Sequence, residues 1–174
     1  MKQKKTIIKI AYLGLFLSFS MIISYVETFI PVFPLAPGVK LGLANGFILL
    51  IFYLYGPKEA AIINLTRVIL SSFLFGNMYA MIYSLSGAII SFLIMWAFYK
   101  KKDVFSPIGI GMLGGLFHNL GQIAVAYFVT HLPGLFYYVP ILIASGLLCG
   151  SMTGLLCKLL YPTLNKIVSS EKGV

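Results

Sequence analysis

The chain carries one arginine, Arg67, inside a run otherwise apolar enough to cross a membrane. A permanent cation at that depth costs about 2.5–3.5 kcal/mol, so such a residue normally faces inward, has partners and serves a function. Asn64, Arg67 and Ser71 recur at i, i+3 and i+7, which puts them on one helix face. Gly111, Gly115, His118 and Gln122 form a second stripe, with Asn119 beside it. Asn45 lies about one turn past Lys40. Glu27 ends the first apolar run, near the surface, so no acid is expected at the depth of Arg67. Three kinds of partner are open to this arginine: backbone carbonyls, the amides of Asn64, Asn119 and Gln122, or a bound anionic or carbonyl-rich ligand. The plainer alternative is that Arg67 and the amides only tie two helices together.

These groups do not make an enzyme's set. The apolar runs hold no paired carboxylates for acid–base work. No aspartate-rich pair could hold magnesium on a diphosphate. No Gly-x-x-x-x-Gly-Lys-Ser/Thr loop is present, so no ATP hydrolysis is expected of this chain. Two histidines, His118 and His131, are too few for most metal sites. Cys149 and Cys157 lie eight residues apart in one apolar run, too distant to bridge, and read as packing residues. The expectation is a binding protein without cofactor or metal.

The elements that must position these residues follow from composition. Hydrophobic residues make up 60% of the 174, charged residues 10%, and mean hydropathy is +0.98. So few charges cannot cover a soluble fold, and the class is an all-α polytopic membrane protein with a single domain over 1–174. The formal charge of +9 does not indicate nucleic acid, because the basic residues cluster at the ends of apolar runs.

Six spans are expected, at about 7–26, 41–55, 60–75, 79–99, 107–129 and 137–160. The second and third are short against the ~20 residues that a crossing helix needs. A re-entrant hairpin would bury Lys58 and Glu59 at its tip, so two crossings are preferred. The basic start followed by an apolar run resembles a signal peptide but lacks a small-x-small cleavage site, and reads as an uncleaved first span. With the amino terminus in the cytoplasm, eleven lysines fall inside and only Lys40 outside, so both termini are expected to be cytoplasmic. The loop between Glu27 and Lys40 carries Pro31, Pro34 and Pro37, is expected to be stiff and extended, and is a candidate lid. The tail after Pro162 is polar and expected to fray.

Small residues recur every four positions: Gly14 and Ser18, Gly42 and Gly46, Gly111 and Gly115, then Gly146, Gly150 and Gly154. Such faces let helices approach closely in lipid. Most should serve packing within the bundle. The Ala11, Gly14 and Ser18 face of the first span could instead lie outside, against another membrane subunit. Tyr and Phe gather at both span edges, as interfacial belts do.

Several segments carry a family resemblance. They are Pro37-Gly-Val-Lys-Leu-Gly-Leu-Ala-Asn45, Arg67-Val-Ile-Leu-Ser71 with Leu74-Phe-Gly76, Phe105-Ser-Pro-Ile-Gly109, His118-Asn-Leu-Gly-Gln122 and Tyr137-Tyr-Val-Pro140. From about Ala11 to Leu160 the chain resembles the Gx transporter family, also called heptaprenyl diphosphate synthase component I. That family is similar to the substrate-binding S components of energy-coupling factor (ECF) transporters. The resemblance implies a six-helix bundle in the bacterial cell membrane. It would bind a vitamin-like molecule near the outer face and dock through span 1 onto a membrane coupling subunit with two ATPase subunits. The usual docking pattern has alanines four apart. Here Leu15 follows Ala11 at that spacing, so the pattern survives as Gly14 and Ser18. Some family members are linked to flavin traffic. A flavin such as FAD would suit Arg67 and Lys40 through its phosphates and the amides of Asn45, Asn64, Asn119 and Gln122 through its ring edge. The family's second name implies another role, a non-catalytic membrane component of polyprenyl diphosphate synthesis. A third reading is a membrane scaffold without ligand.

Overall fold

The structure is a computed structural model that describes residues 2–29 and 40–172. Six α-helices follow in order: α1 (Lys2–Glu27), α2 (Asn45–Tyr55), α3 (Pro57–Phe75), α4 (Met78–Tyr99), α5 (Pro107–Thr130) and α6 (Val139–Lys172). A 3₁₀ turn, Pro133–Tyr138, joins α5 to α6, and no strand occurs among the described residues. The proline-bearing candidate lid lies at 30–39, outside the described residues.

Local chemistry explains the helix ends. Gly56 has φ +98°, a conformation that costs glycine little, and it separates α2 from α3, with Pro57 opening α3. Asn77 caps α4 by accepting from the Ala80 N–H at 2.8 Å. Ser106 caps α5 in the same way through the Gly109 N–H at 3.2 Å, ahead of Pro107.

α2 is the axis of the bundle. Ile48, Leu49, Leu50, Ile51 and Phe52 have no exposed surface, and α2 packs on α1, α3, α4, α5 and α6. A helix that is apolar all round belongs in the interior. This accounts for its brevity: eleven residues span about 16 Å, half of a bilayer's hydrocarbon. The expected second span loses its first turn, because residues 41–44 are not helical. Among the described residues, four segments are long and apolar enough to cross a membrane: Thr6–Glu27, Met78–Tyr99, Pro107–Thr130 and Pro133–Ser169. The bundle's exterior is correspondingly oily, with Phe73, Leu148 and Leu159 exposed. This is the architecture of a multi-pass membrane protein.

α5 and α6 meet along their glycines. A Cβ at Gly146 would lie 2.8 Å from the Gly115 carbonyl oxygen, and one at Gly115 3.0 Å from the Gly150 Cα. Gly46 of α2 faces Thr153 of α6 in a similar way, at 2.9 Å from a built Cβ. Gly42, by contrast, lies outside any helix. Beyond Pro162, α6 does not fray as expected. It continues to Lys172, because Val168 is buried and Tyr161 and Leu164 pack on the core around α2.

Candidate functional site

α1 enters the bundle with one stripe only. Phe16, Ser20, Ser24 and Glu27 follow at helical spacing and all are buried. α3 brings Asn64 and Arg67 to the same end, and the first turn of α2 brings Asn45. Arg67 is 4% exposed. One terminal nitrogen, Nη1, donates to Ser24 Oγ at 3.2 Å. The other, Nη2, donates to Asn64 Oδ1 at 2.9 Å and Asn45 Oδ1 at 3.2 Å. Asn64 in turn donates to the Ala88 carbonyl of α4 at 3.2 Å, which fixes its oxygen toward the arginine. The guanidinium is thus pinned among three helices.

The expected lack of an acid at this depth is overturned. Glu27 is 3% exposed and lies in the electrostatic neighbourhood of both Arg67 and Lys40. Its Oε1 accepts from the Leu43 N–H at 2.7 Å. That bond holds residues 40–44 as a non-helical strap across the cluster, and the strap turns at Gly42, where φ is +82°. Gly42 is required twice over. A side chain there would be conformationally strained, and its Cβ would come within 2.6 Å of the His118 ring.

Gln122 anchors the other end of the strap. The Lys40 N–H donates to Gln122 Oε1 at 2.8 Å, and Gln122 Nε2 donates back to the Lys40 carbonyl at 3.2 Å. This pair fixes which way the amide points. The second proton on Nε2 then faces His118 Nε2, which must accept, so the imidazole proton resides on Nδ1. The ring itself lies against Gly87, where a Cβ would be 2.9 Å from Nδ1. Lys40 is 7% exposed, and its Nζ makes only a long contact of 3.5 Å to the Ser24 carbonyl. Burial lowers its ammonium pKa from the ordinary value; Glu27 opposes the shift and Arg67 adds to it.

Lys40, Asn45, Asn64, Arg67, His118 and Gln122 are therefore brought to one end of the bundle. Two expected members are not bonded into the cluster. Asn119 points the other way and donates to the Leu142 carbonyl at 2.9 Å and to Ser145 at 3.2 Å, tying α5 to α6. Ser71 is buried but bonds to its own helix, at the Val68 carbonyl. The expected amide partners of Arg67 on α5 are replaced by Ser24 and Asn45. Glu27 and Ser24 were missed as site residues, although Ser20, Ser24 and Glu27 already share one helical face in the sequence. Four buried polar atoms here lack a hydrogen-bond partner among the described residues: Glu27 Oε2, Asn45 Nδ2, Arg67 Nε and His118 Nδ1.

A family model described as heptaprenyl diphosphate synthase component I matches residues 16–160. The chain belongs to that family. The match embraces every residue of the cluster, from Ser24 to Gln122. No curated protein and no solved structure matches the chain. In this member of the heptaprenyl diphosphate synthase component I family, Ala11 and Gly14 precede the matched region. Together with Ser18 they are exposed, and a Cβ added at Gly14 would meet nothing within 4 Å. Among the described residues no group of three or more His, Cys, Asp or Glu side chains could hold a metal ion, and both cysteines are free.

Proposed function

We propose that the chain is the substrate-binding, non-enzymatic membrane subunit of an ECF-type transporter in the bacterial cell membrane. In this reading it has six spans, both termini are cytoplasmic, and the cluster opens outward. The observation that carries it is the charged cluster at one end of an oily bundle, with four buried polar atoms left without partners among the described residues. Buried polar groups in native proteins are nearly always bonded, so a concentration of exceptions points to a binding role. The lysine distribution supports an outward-facing cluster. The exposed Ala11, Gly14 and Ser18 face offers a flat surface to a coupling subunit that works with two ATPase subunits. The substrate is a vitamin-like small molecule, with a flavin such as FAD the foremost candidate.

Purified protein in detergent or nanodiscs is to be titrated with flavins and other vitamins by fluorescence and calorimetry. Saturable binding of one of them, lost in Arg67→Ala, is the expected result. No binding by any compound, with transport intact in Arg67→Ala, overturns the reading. The family's printed description favours a second reading, a non-catalytic membrane component of heptaprenyl diphosphate synthesis. Prenyl chain synthesis by the catalytic partner, measured with and without this chain, decides it: dependence on the chain would support this second role.

A further inference from the structure

The meeting of α5 and α6 changes character along its length. At one stage glycine lies on glycine, with Gly146 against the Gly115 carbonyl. One turn on, a side chain bridges the gap, as Asn119 donates to the Leu142 carbonyl at 2.9 Å. A turn beyond that the helices part and leave a groove of about 480 Å³. Helices that cross on small residues diverge away from the crossing, so the groove follows from where the glycines stop. Leu120, Ala124 and Phe128 recur along one stripe of α5 and line it. Phe136 of the 3₁₀ turn and Val139 of α6 line it as well. Leu135 anchors the turn by burial in one cluster with Ile123, Ala126 and Leu142, and the Phe136 ring lies 4.9 Å from the Tyr127 ring.

The groove fits one kind of occupant. Its volume falls within the roughly 300–1,000 Å³ of ligand pockets, but it lacks the convergent polar groups that orient a water-soluble ligand. The Tyr127 hydroxyl is the only polar side-chain group among its lining residues. No Asp, Glu, Lys or Arg occurs from Val104 to Cys157, so α5, the turn and the first half of α6 offer no charge. Ala124 and Phe128 are exposed on the oily exterior, so the groove opens toward acyl chains. A membrane helix, about 10–12 Å across, seats closely only on small residues. Here the bulky, exposed Phe128 and Phe136 hold such a backbone off. A hydrocarbon chain is thin enough to pass between them and, being uncharged, matches the uncharged lining.

We propose that the groove holds one acyl chain of a phospholipid, from the leaflet at the cluster's end of the bundle, and recognises the chain and not the headgroup. The seated chain buttresses the part of α5 that carries Gln122, whose amide clamps Lys40 from the buried side. This inference stands apart from the binding role proposed for the cluster. The purified full chain is to be stripped of lipid in detergent, mixed with dioleoyl phosphatidylcholine or dioleoyl phosphatidylglycerol, and weighed by native mass spectrometry. The expected result is one retained lipid per chain, held equally with either headgroup, and much weaker retention of dioctanoyl phosphatidylcholine. Ala124→Trp fills the groove and should cut retention about tenfold or more, the scale of an overpacked interior. Leu159→Trp, at an exposed position elsewhere on the bundle, should leave retention unchanged. If Ala124→Trp folds poorly, the comparison of headgroups and chain lengths tests the same point on the unaltered protein. No retained lipid, equal retention by Ala124→Trp and the parent chain, or a headgroup preference that ignores chain length overturns the assignment. A dimer that Ala124→Trp abolishes would place a second copy in the groove and overturn it too.

Discussion

Two small-residue stripes of the same spacing have opposite fates in this molecule. On α5 and α6 the glycines face each other, and Gly111, Gly115, Gly146, Gly150 and Gly154 leave no room for a single added carbon. On α1, Ala11, Gly14 and Ser18 face outward, with open space beyond Gly14. The difference lies in the mate. α6 carries a glycine ladder that matches α5 turn for turn, so two backbones close on each other. α1 is held on its other side by polar residues, Ser20, Ser24 and Glu27, and its small face has no complement among the described residues. A spacing pattern therefore marks a surface that can be approached closely, and only a second pattern says whether the chain supplies the approaching helix.

The sharpest way to break this comparison is to fill both stripes. Gly115→Leu should separate α5 from α6 and cost at least ~3 kcal/mol, the upper end for overpacked interiors, seen as loss of the monodisperse folded fraction in detergent. Gly14→Leu should change the melting temperature by no more than a surface substitution does, within about 0.5 kcal/mol. Equal damage from both would show that α1 also packs through its small face. If a coupling subunit docks there, Gly14→Leu should abolish co-purification with it while leaving ligand binding unchanged.

The next effect tests what holds α1. Arg67→Ala leaves buried Glu27 with Lys40 as its remaining countercharge and strands the oxygens of Asn45 and Asn64, and should cost about 3–5 kcal/mol. Adding Glu27→Gln should recover part of that loss, and a thermal-melting double-mutant cycle measures the coupling. Additive losses would mean that the two side chains do not sense each other.

The smallest effect is at the other end of α1. There Lys9 pairs with Glu59 and lies 5.8 Å from the Tyr55 ring centre. Lys9→Ala should cost only about 0.2–1 kcal/mol, as partly exposed pairs do. Partial burial pushes the Glu59 carboxyl up, but the hydrogen bond from Lys9, a backbone N–H and the charges of Lys9 and Lys58 together outweigh it and hold the group below its ordinary value of 4.5. A depressed carboxyl stabilises the fold above its unfolded value and loses that contribution as pH falls through the folded value. The stability difference between Lys9→Ala and the parent chain should therefore shrink as pH drops below about 4.5. A difference that stays constant down to pH 3 would mean that Lys9 acts through packing alone.

Much of this was legible in the residues. The apolar runs located all six helices, and the solitary arginine located the buried polar cluster. The partner of Arg67 was harder to read, because Glu27 ends a span and a span end normally meets water. The fold instead draws the Gly42 strap over it, through a single Leu43 N–H bond. The start of α2 was misread for the same reason: Leu41, Leu43 and Ala44 look like span residues, yet this bond and the left-handed Gly42 hold them out of the helix. Asn119 neighbours His118 in sequence but lies one helical step round the axis, which turns it toward Leu142 and away from Arg67. The end of α6 carried its own signal, since Tyr161, Leu164 and Val168 repeat at helical spacing within a polar tail.

The buried, half-length α2 has a consequence for life in different lipids. Hydrophobic mismatch acts on helices that touch acyl chains, tilting or stretching them as the bilayer thins or thickens. α2 is walled off on every side, and it carries Asn45 and the end of the strap. The level of the cluster is therefore set by contacts between helices, with α1, α4, α5 and α6 absorbing the strain. Ligand affinity in vesicles should then stay within about threefold from short-chain to long-chain phosphatidylcholine.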